Sequence, residues 1–570
     1  MKTLFKRIII VLFQRGNVDY NRWLTGHLPS QPELIYQRQK LFRYVPVFSI
    51  VIPIKDIPEL AFKEMIESII HQSYEAWEVC LIDGSSNSTL SDLIAMHWPD
   101  ESRIKYNGCI DMAGGDYLLF MSCGDLLTSN ALYECADVLN RFQNIDIIYT
   151  DEDKFSQDHK QYFMPHFKSD FNLDLLRSFN YIGHLFVVRS SLIQKAGIFQ
   201  NQFGEAKDYD YILRCIERAD GIYHIPKILY HKRIHTLPAI DTVDTLMEIR
   251  ALEAHYKRLH IRAEVSESDI TGIYHTEYQI NGEPLISIII PNMDHIDDLE
   301  KCIRSIEEKS CYQNYEYIIL ENNSNDIETF EYYHKLEKEN PKVKIEYWDE
   351  AFNYSLINNF GATKASGEFL LFMNNDIEML VPECLNEMLG ICQREEVGIV
   401  GAKLFYPDDT IQHAGVVIGY GGICGHTFIG LPKDERGYFA RESCTGSYSA
   451  VSAACMMTRK DIFDMAGGFS PAYQIAFGDI DFCLKVRSLG KLVVYTPFAR
   501  FYHYESKSRG IEDTPEKIKR FNDEVDLFRK NWIDIIEKGD PYYNPNLTLD
   551  KPDFSIRHQY LNLTGKSTLH

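Results

Sequence analysis

The chain repeats one order of sequence motifs twice. The segments FSIVIP, WEVCLIDGSS and GDYLLFMSCG recur in the same order as LISIIIP, YEYIILENNSND and GEFLLFMNND. Further matches follow, and both series end in a histidine, His231 and His503. The copies span about 190 and 230 residues, far more than the period of a solenoid repeat. The sequence therefore predicts a duplicated domain.

Within each copy, short apolar runs alternate with helix-period segments. This alternation is typical of a mostly parallel sheet whose strands are joined by right-handed crossovers. We therefore predict an α/β fold with two tandem Rossmann-like domains in the 570 residues. The predicted limits are 1–45 for an N-terminal helical segment, 46–235 for the first domain, 236–283 for a helical linker, 284–510 for the second domain, and 511–570 for a C-terminal helix and tail.

The strand predicted within GEFLLFMNNDIE, residues 367–378, ends in a polar and acidic run. Five apolar residues precede Asn374, Asn375 and Asp376. Ligands of open α/β sheets bind at the carboxyl ends of strands, where a carboxylate can hold a divalent cation and the cation a diphosphate. The alternative is a strand followed by an Asn-rich turn in which Asp376 caps a helix.

Composition and charge exclude several classes of protein. A hydrophobic content of 45% supplies enough apolar material for two cores. The net charge of −23 argues against a nucleic-acid partner, although a bound cation can invert the local field at a diphosphate site. The 13 cysteines form no C-x-x-C pair, so we expect neither a zinc site nor a disulfide framework. A reducing cytoplasmic location fits this pattern.

The first 16 residues combine cations with a short apolar run. Lys2, Lys6, Arg7 and Arg15 surround the apolar residues 8–13. Such a run is too short to span a bilayer, and no small-residue cleavage site follows it. Two interpretations stay open, namely an amphipathic helix on the anionic inner face of the cell membrane and an ordinary packed helix.

The order of these motifs resembles that of family-2 glycosyltransferases with the GT-A fold, in particular the tandem enzymes of bacterial O-antigen, rhamnan and capsule assembly. The resemblance covers about residues 45–235 and 284–510. It rests on a strand ending in proline, an acid–Asn/Gly–Ser turn, an acidic strand end, an Ala/Gly-Gly-Phe segment, a D-x-D and a Tyr-His. It implies an inverting transferase that moves a sugar from a nucleotide-diphosphate sugar to a glycan or lipid-linked acceptor.

The resemblance also implies roles for single residues. Asp376, Asn374 and His503 stand at a site for Mn²⁺ or Mg²⁺, which would neutralise the leaving diphosphate. A histidine that merely faces the core is the alternative for His503. Asp479 stands at the position of the catalytic base, unless it only caps the helix expected to begin at Asp481, for which Asp481 is the preferred cap. Nucleotide contacts are expected from Pro291, Asn292, Glu321, Asn323, Asn358 and Asn375.

The two halves differ at the strand end. Aligning GDYLLFMSCG with GEFLLFMNND places Ser122 at Asn374 and Gly124 at Asp376, so the first half lacks the metal-binding aspartate. The first half is also shorter, because the helical segment around Asn358 has no counterpart. The sequence therefore predicts that transfer takes place in the second half and that the first half is a degenerate transferase domain.

Three further hypotheses stay open. Since the first half retains Asp208, Asp210 and His231, the chain could be a bifunctional transferase with a metal-independent first site. A non-catalytic scaffold of a polysaccharide assembly complex is the second possibility. The third is a nucleotidyltransferase, which is expected to carry a Gly-rich phosphate loop with a basic residue after its first strand, and IPNMDHID shows none.

Overall fold

The computed structural model describes residues 19–54, 57–83, 89–106, 112–156, 161–234, 244–505 and 514–557. The interpretations of the first 16 residues lie outside these ranges. Two large sheets dominate the described part, one of nine strands and one of ten. None of the described helices is both long and apolar enough to cross a membrane.

The strands are numbered in chain order. The first sheet contains β1 (Phe48–Ile54), β2 (Trp77–Asp83), β3 (Ile104–Tyr106), β4 (Tyr117–Phe120), β5 (Leu126–Leu127), β6 (Ile147–Ser156), β7 (Gln161–His166), β8 (Val187–Arg189) and β9 (Ile222–Ile234). A hairpin of β10 (Ala263–Glu267) and β11 (Tyr274–Tyr278) follows. The second sheet contains β12 (Ile286–Asn292), β13 (Tyr315–Glu321), β14 (Val343–Tyr347), β15 (Phe369–Met373), β16 (Ile377–Met379), β17 (Val397–Phe405), β18 (Ile411–His413), β21 (Gly446–Ser447), β22 (Cys455–Arg459) and β23 (Leu492–His503). Beside it, β19 (Val416–Ile418) and β20 (Cys424–His426) form a small hairpin.

The helices connect these strands or lie at the ends of the chain. They are α1 (Gln31–Gln39), α2 (Glu59–Ile70), α3 (Thr89–His97), α4 (Ala131–Arg141), α5 (Leu173–Ser178), α6 (Ser190–Ala196), α7 (Lys207–Ile216), α8 (Thr245–Arg258), α9 (Ile296–Lys309), α10 (Ile327–Glu339), α11 (Tyr354–Lys364), α12 (Cys384–Cys392), α13 (Lys460–Met465), α14 (Gly478–Ser488) and α15 (Pro515–Lys538). Residues 19–27 are also helical. The segment predicted as a helical linker holds α8 and also the β10–β11 hairpin, which the sequence pattern did not indicate.

Both sheets have the same strand order. In the second sheet, β14, β13, β12 and β15 are parallel neighbours, β22 runs antiparallel between β15 and β17, and β17 is parallel to β23. The first sheet repeats this arrangement with β3, β2, β1, β4, β8, β6 and β9. The predicted α/β class with two tandem domains of one type is therefore confirmed, whereas the exact domain limits stay a prediction.

The central strand β15 is buried along its whole length. All five of its residues are buried, and burying an apolar side chain of this size stabilises the fold by about 1.5–3 kcal/mol. The strand enters the sheet through Gly367, where a Cβ atom would lie 2.6 Å from the carbonyl oxygen of Leu285. Gly115 has the same constraint before β4, 2.6 Å from the carbonyl oxygen of Val47. Close backbone approach thus explains why both copies begin this strand with glycine.

The two halves contact each other through buried polar groups. Asn172, the N-cap of α5, exchanges two hydrogen bonds with the backbone of Ser447, each 3.0 Å long. Nearby, Arg394 of the second half donates to Asp174 of the first over 2.6 Å. The C-terminal segment adds a third contact, because Nδ2 of Asn544 lies 2.9 Å from a carboxylate oxygen of Asp151.

We expect Asp174→Ala to lower the free energy of unfolding by about 3–5 kcal/mol, because it leaves buried guanidinium groups without their carboxylate. The side chains of Arg394 and Arg177 are only 8% and 4% exposed. Although burial opposes it, these two cations hold the pKa of Asp174 below its ordinary value. Urea denaturation followed by circular dichroism measures the change.

A matched control is the exposed ion pair between Arg500 and Asp269. The side chain of Asp269 is 93% exposed and lies 3.9 Å from Arg500. Such pairs contribute about 0–1 kcal/mol, so Asp269→Ala is expected to unfold like the wild type. Equal effects of the two substitutions would contradict a stabilising role for the buried pair.

Candidate active site

The three residues predicted to bind metal lie together at the carboxyl end of β15. Pairing of β16 with the end of β23 places Ile377 opposite His503. As a result, Nε2 of His503 lies 3.2 Å from Oδ1 of Asp376 and accepts from Nδ2 of Asn374 over 3.1 Å. Asp376 and His503 are 8% and 7% exposed, so this cluster is largely shielded from water.

The orientation of His503 is determined by Gln412 on β18. Nε2 of Gln412 donates to the carboxylate of Glu505 over 2.9 Å, so its Oε1 must face Nδ1 of His503, 2.6 Å away. Nδ1 therefore carries the hydrogen, and the lone pair of Nε2 accepts from Nδ2 of Asn374 next to Asp376. A histidine that ligates a metal is commonly held in this way by a partner on its other nitrogen.

This donor set fits a divalent cation. Nε2 of His503 and Oδ1 of Asp376 lie 3.2 Å apart, and a cation bound to both would replace the hydrogen bond from Nδ2 of Asn374 and let that amide turn its oxygen inward. One carboxylate, one imidazole and one amide oxygen suit Mn²⁺ or Mg²⁺. Within the described ranges, no group of three or more His, Cys, Asp or Glu side chains is arranged to hold a metal. A cation at Asp376 would thus complete its shell with water or phosphate oxygens.

Three of the residues predicted to contact the nucleotide form one network at the ends of β12, β13 and β15. Asn375 donates to Oδ1 of Asn292 over 2.7 Å, and Asn292 donates to the hydroxyl of Tyr333 over 2.7 Å. The Tyr333 hydroxyl in turn donates to Glu321 over 2.8 Å. Pro291 precedes Asn292 in β12. The sequence did not indicate Tyr333, which joins this network from α10.

The other two predicted nucleotide contacts lie outside this network. Asn323 has a left-handed backbone, with φ of 60°, and its exposed side chain donates to the carbonyl oxygen of Glu350. Asn358 is fully buried in α11, where Nδ2 donates to the carbonyl oxygen of Tyr354 over 2.8 Å. Its Oδ1 has no hydrogen-bond partner in the part of the chain that the structure describes.

Asp479 lies in the first turn of α14. This helix begins at Gly478, three positions before the start expected at Asp481, because Phe477 takes a left-handed backbone with φ of 64° and turns the chain directly into the helix. Oδ2 of Asp479 accepts from the backbone of Ala453 over 3.1 Å, and Oδ1 accepts from Ile480. Burial raises the pKa of Asp479 above its ordinary value.

Asp481, the expected helix cap, has another structural role. Its carboxylate accepts from the hydroxyl of Ser470 over 2.5 Å and from the indole nitrogen of Trp532 over 3.0 Å. The expectation that Asp481 caps the helix is therefore wrong, because the helix has already begun. Asp481 ties the loop before α14 to the C-terminal helix α15.

One peptide segment, residues 452–454, joins the two ends of the site. The carbonyl oxygen of Ala454 accepts from the backbone of Asn374 over 3.1 Å, next to the candidate metal residues. The neighbouring Ala453 donates its N–H to Asp479. Ser452 donates to Nε2 of His413 over 3.3 Å, and His413 lies next to Gln412 in β18. Sequence reasoning missed β18. Its signal was the pair of polar residues, Gln412 and His413, in the segment IQHAG.

In the first half, an arginine side chain lies at the corresponding strand end. Nε of Arg233 donates to the carbonyl oxygen of Gly124 over 2.6 Å, and Nη2 donates to Glu64 over 2.7 Å. The side chain of Arg233 is 1% exposed. Gly124 aligns with Asp376, so the buried guanidinium group of Arg233 lies where the second half has its candidate metal site.

Other groups of the first half are paired within the protein as well. Asp125 accepts from the hydroxyl of Tyr230 and from the backbone of Arg233. His231, the counterpart of His503, bonds through Nδ1 to Asp153 over 2.5 Å, and Tyr20 of the N-terminal helix donates to the same carboxylate. These contacts agree with the expectation of a degenerate first half, which stays a prediction.

Comparisons with known proteins give matches in both halves of the chain. The model of the family "Glycosyl transferase family 2" matches residues 49–197 and 287–464, one segment in each half. An uncharacterized protein of Sinorhizobium fredii is 39% identical, with 95% of this chain and 62% of that protein covered. O-antigen biosynthesis protein RfbC of Myxococcus xanthus is 34% identical, with 95% and 43% covered. The chain thus spans less than two thirds of either relative.

Among solved structures, the mannosyltransferase PcManGT from Pyrobaculum calidifontis in complex with GDP-Man and Mn²⁺ is similar at 16% identity. The alignment covers 46% of this chain and 68% of that chain, with a TM-score of 0.34.

Proposed function

The chain belongs to glycosyl transferase family 2, and we propose that it is an inverting, metal-dependent glycosyltransferase of bacterial surface polysaccharide biosynthesis. The substrates would be a nucleotide-diphosphate sugar and a hydroxyl of a growing glycan or lipid-linked acceptor. The observation that carries the proposal is that residues 452–454 bond both to Asn374, beside Asp376 and His503, and to Asp479. The name of the Myxococcus xanthus relative supports the assignment to O-antigen synthesis.

The donor end of the site would hold the nucleotide diphosphate. Asp376, His503 and Asn374 would ligate a divalent cation, which supplies charge neutralisation to the departing diphosphate. Gln412 holds the hydrogen of His503 on Nδ1, so Nε2 is the nitrogen that would bind the cation. The network from Asn375 to Glu321 would orient the nucleoside at the ends of neighbouring strands.

The acceptor end would perform the proton transfer. The oxygen of the acceptor hydroxyl forms a bond to the anomeric carbon while the bond to the diphosphate oxygen breaks. The hydroxyl proton passes to the carboxylate of Asp479. Attack from the face opposite the diphosphate inverts the configuration. Because burial raises its pKa, Asp479 is a stronger base than an exposed aspartate.

The pH profile of transfer should reflect the raised pKa of Asp479. Below its raised pKa, Asp479 holds a proton and cannot accept another, so activity falls as the pH drops through that value. We expect the acidic limb of kcat/KM to lie above pH 4, where an ordinary aspartate with a pKa of about 3.9 would titrate. A rate that stays constant down to that pH would exclude Asp479 as the base.

We also propose a cytoplasmic location with peripheral contact to the inner face of the cell membrane. None of the cysteines in the described ranges forms a disulfide, as expected in a reducing compartment. The cations of the first 16 residues support contact with anionic lipids.

A panel of nucleotide sugars tests the proposed function. The protein is incubated with Mn²⁺ or Mg²⁺ and with deoxythymidine diphosphate rhamnose or uridine diphosphate sugars, in the presence of synthetic octyl glycosides as acceptors. Release of the nucleoside diphosphate together with a product of inverted anomeric configuration is expected for one donor. Retained configuration would exclude the single-displacement mechanism, and failure of every donor would contradict the proposal.

A further inference from the structure

Two histidines near the 452–454 segment take no part in the proposed mechanism. His413 ends β18 and His426 ends β20, and their Nδ1 atoms are 2.9 Å apart. His413 is buried at 1% exposure, whereas His426 is half-buried. The backbone of Ser452 bonds to His413 and that of the next residue, Ala453, bonds to Asp479, so the histidine pair lies at the acceptor end of the site.

The hydrogen bonds determine which nitrogen of each ring carries the hydrogen. The backbone N–H of Ser452 can only donate, so Nε2 of His413 accepts and its hydrogen lies on Nδ1. Nδ1 of His413 then donates to Nδ1 of His426. His426 therefore carries its own hydrogen on Nε2. The hydrogen bonds that run from Ser452 through His413 to His426 select this tautomer.

Both rings are neutral at pH 7. Burial lowers the pKa of His413 well below its ordinary value, and the neighbouring His426 and His503 lower it further. Burial also lowers the pKa of His426, although Asp479 and Glu505 act in the opposite direction. Nε2 of His426 is thus a neutral donor, and in the described part of the chain it has no protein partner.

We propose that His426 binds a hydroxyl of the acceptor sugar through its Nε2–H, and that His413 is the positioning residue that keeps His426 in the donating tautomer. This inference rests on the proposed function. The backbone supports it, because the consecutive residues Ser452 and Ala453 orient the histidine pair and Asp479, respectively. The sugar hydroxyl bound by His426 would be a neighbour of the hydroxyl that loses its proton to Asp479.

Substitutions that keep or remove a single N–H group test the inference. His426→Gln retains an amide nitrogen near the position of Nε2, and His426→Leu removes it. His413→Asn retains an amide nitrogen near the position of Nδ1, and His413→Leu removes it. Initial rates are measured with the donor accepted by the wild type and with octyl glycosides as acceptors. Calorimetry with uridine or deoxythymidine diphosphate and Mn²⁺ measures the donor end separately.

We expect each leucine variant to raise the acceptor KM by about tenfold or more, as for a lost hydrogen bond to substrate. The Gln and Asn variants should stay within a few-fold of the wild type. Nucleoside diphosphate binding and hydrolysis of the donor by water should not change in any variant.

Two results would overturn the inference. One is an unchanged acceptor KM in both leucine variants, and the other is an equal loss in the leucine and amide variants. Loss of nucleoside diphosphate binding together with transfer would also overturn it, since the pair would then act only on the structure of the pocket. A wild-type protein that transfers no sugar would contradict the proposed function itself, and the inference with it.

Discussion

Replacing Asp479 by asparagine is expected to lower the turnover of sugar transfer by about 10²- to 10⁴-fold, the range typical of a lost general base. The amide cannot take the proton of the acceptor hydroxyl, yet its oxygen can still accept from Ala453, as Oδ2 does now over 3.1 Å. The fold and donor binding should therefore persist. Initial-rate measurements give the turnover, and calorimetry with the nucleoside diphosphate gives donor affinity.

The matched control is Asp208→Asn, the same change at the aligned position of the first half. Asp208 is exposed at the start of α7, and we expect its replacement to leave turnover within a few-fold of the wild type. Calorimetry should show one metal-dependent donor site per chain. Two donor sites, or an Asp208→Asn protein that forms only part of a two-sugar product, would support the bifunctional hypothesis.

Replacing Asp376 by alanine is expected to reduce transfer by about 10³-fold or more, because one oxygen ligand and its charge are lost where negative charge develops on the diphosphate. Asp376 lies after the end of β15, outside the apolar core, so the melting temperature should change little. Electron paramagnetic resonance of Mn²⁺ measures the metal affinity independently of activity and should show weakened binding.

Glu378→Gln is the control for this change, because Glu378 is a second acid in the same segment. Its carboxylate pairs with Lys301 over 2.9 Å and accepts from the hydroxyl of Tyr504. These protein partners occupy the oxygens that would otherwise bind a cation. We expect Mn²⁺ affinity and turnover close to those of the wild type. If Asp376→Ala retained both properties, the cation would bind elsewhere.

The parts of the site that were predictable lie at strand ends. Asp376 and His503 could be placed together because a buried apolar run predicts each strand and the resemblance supplies the order of the motifs. The cluster of Asn292, Asn375 and Glu321 follows from the same rule, since parallel strands meet at one edge of the sheet.

Other parts could not be predicted because they depend on tertiary structure alone. The start of α14 depends on the left-handed backbone of Phe477, which hydrophobic periodicity does not predict. β18 is only three residues long, too short to show a pattern, yet it supplies both Gln412 and His413. The position of Arg233 at the strand end of the first half likewise depends on a contact across 109 positions of the chain.

The attachment of Asn544 to Asp151 has a consequence for the folding of the whole chain. Asn544 bonds to a residue 393 positions earlier, and this contact closes a loop around the second sheet. Closing so long a loop costs conformational entropy, which only many other native contacts can offset. The two sheets are therefore expected to unfold as one cooperative unit, with a single calorimetric transition. A fragment that ends before residue 540 would lose this closure and expose the polar groups that the tail now satisfies.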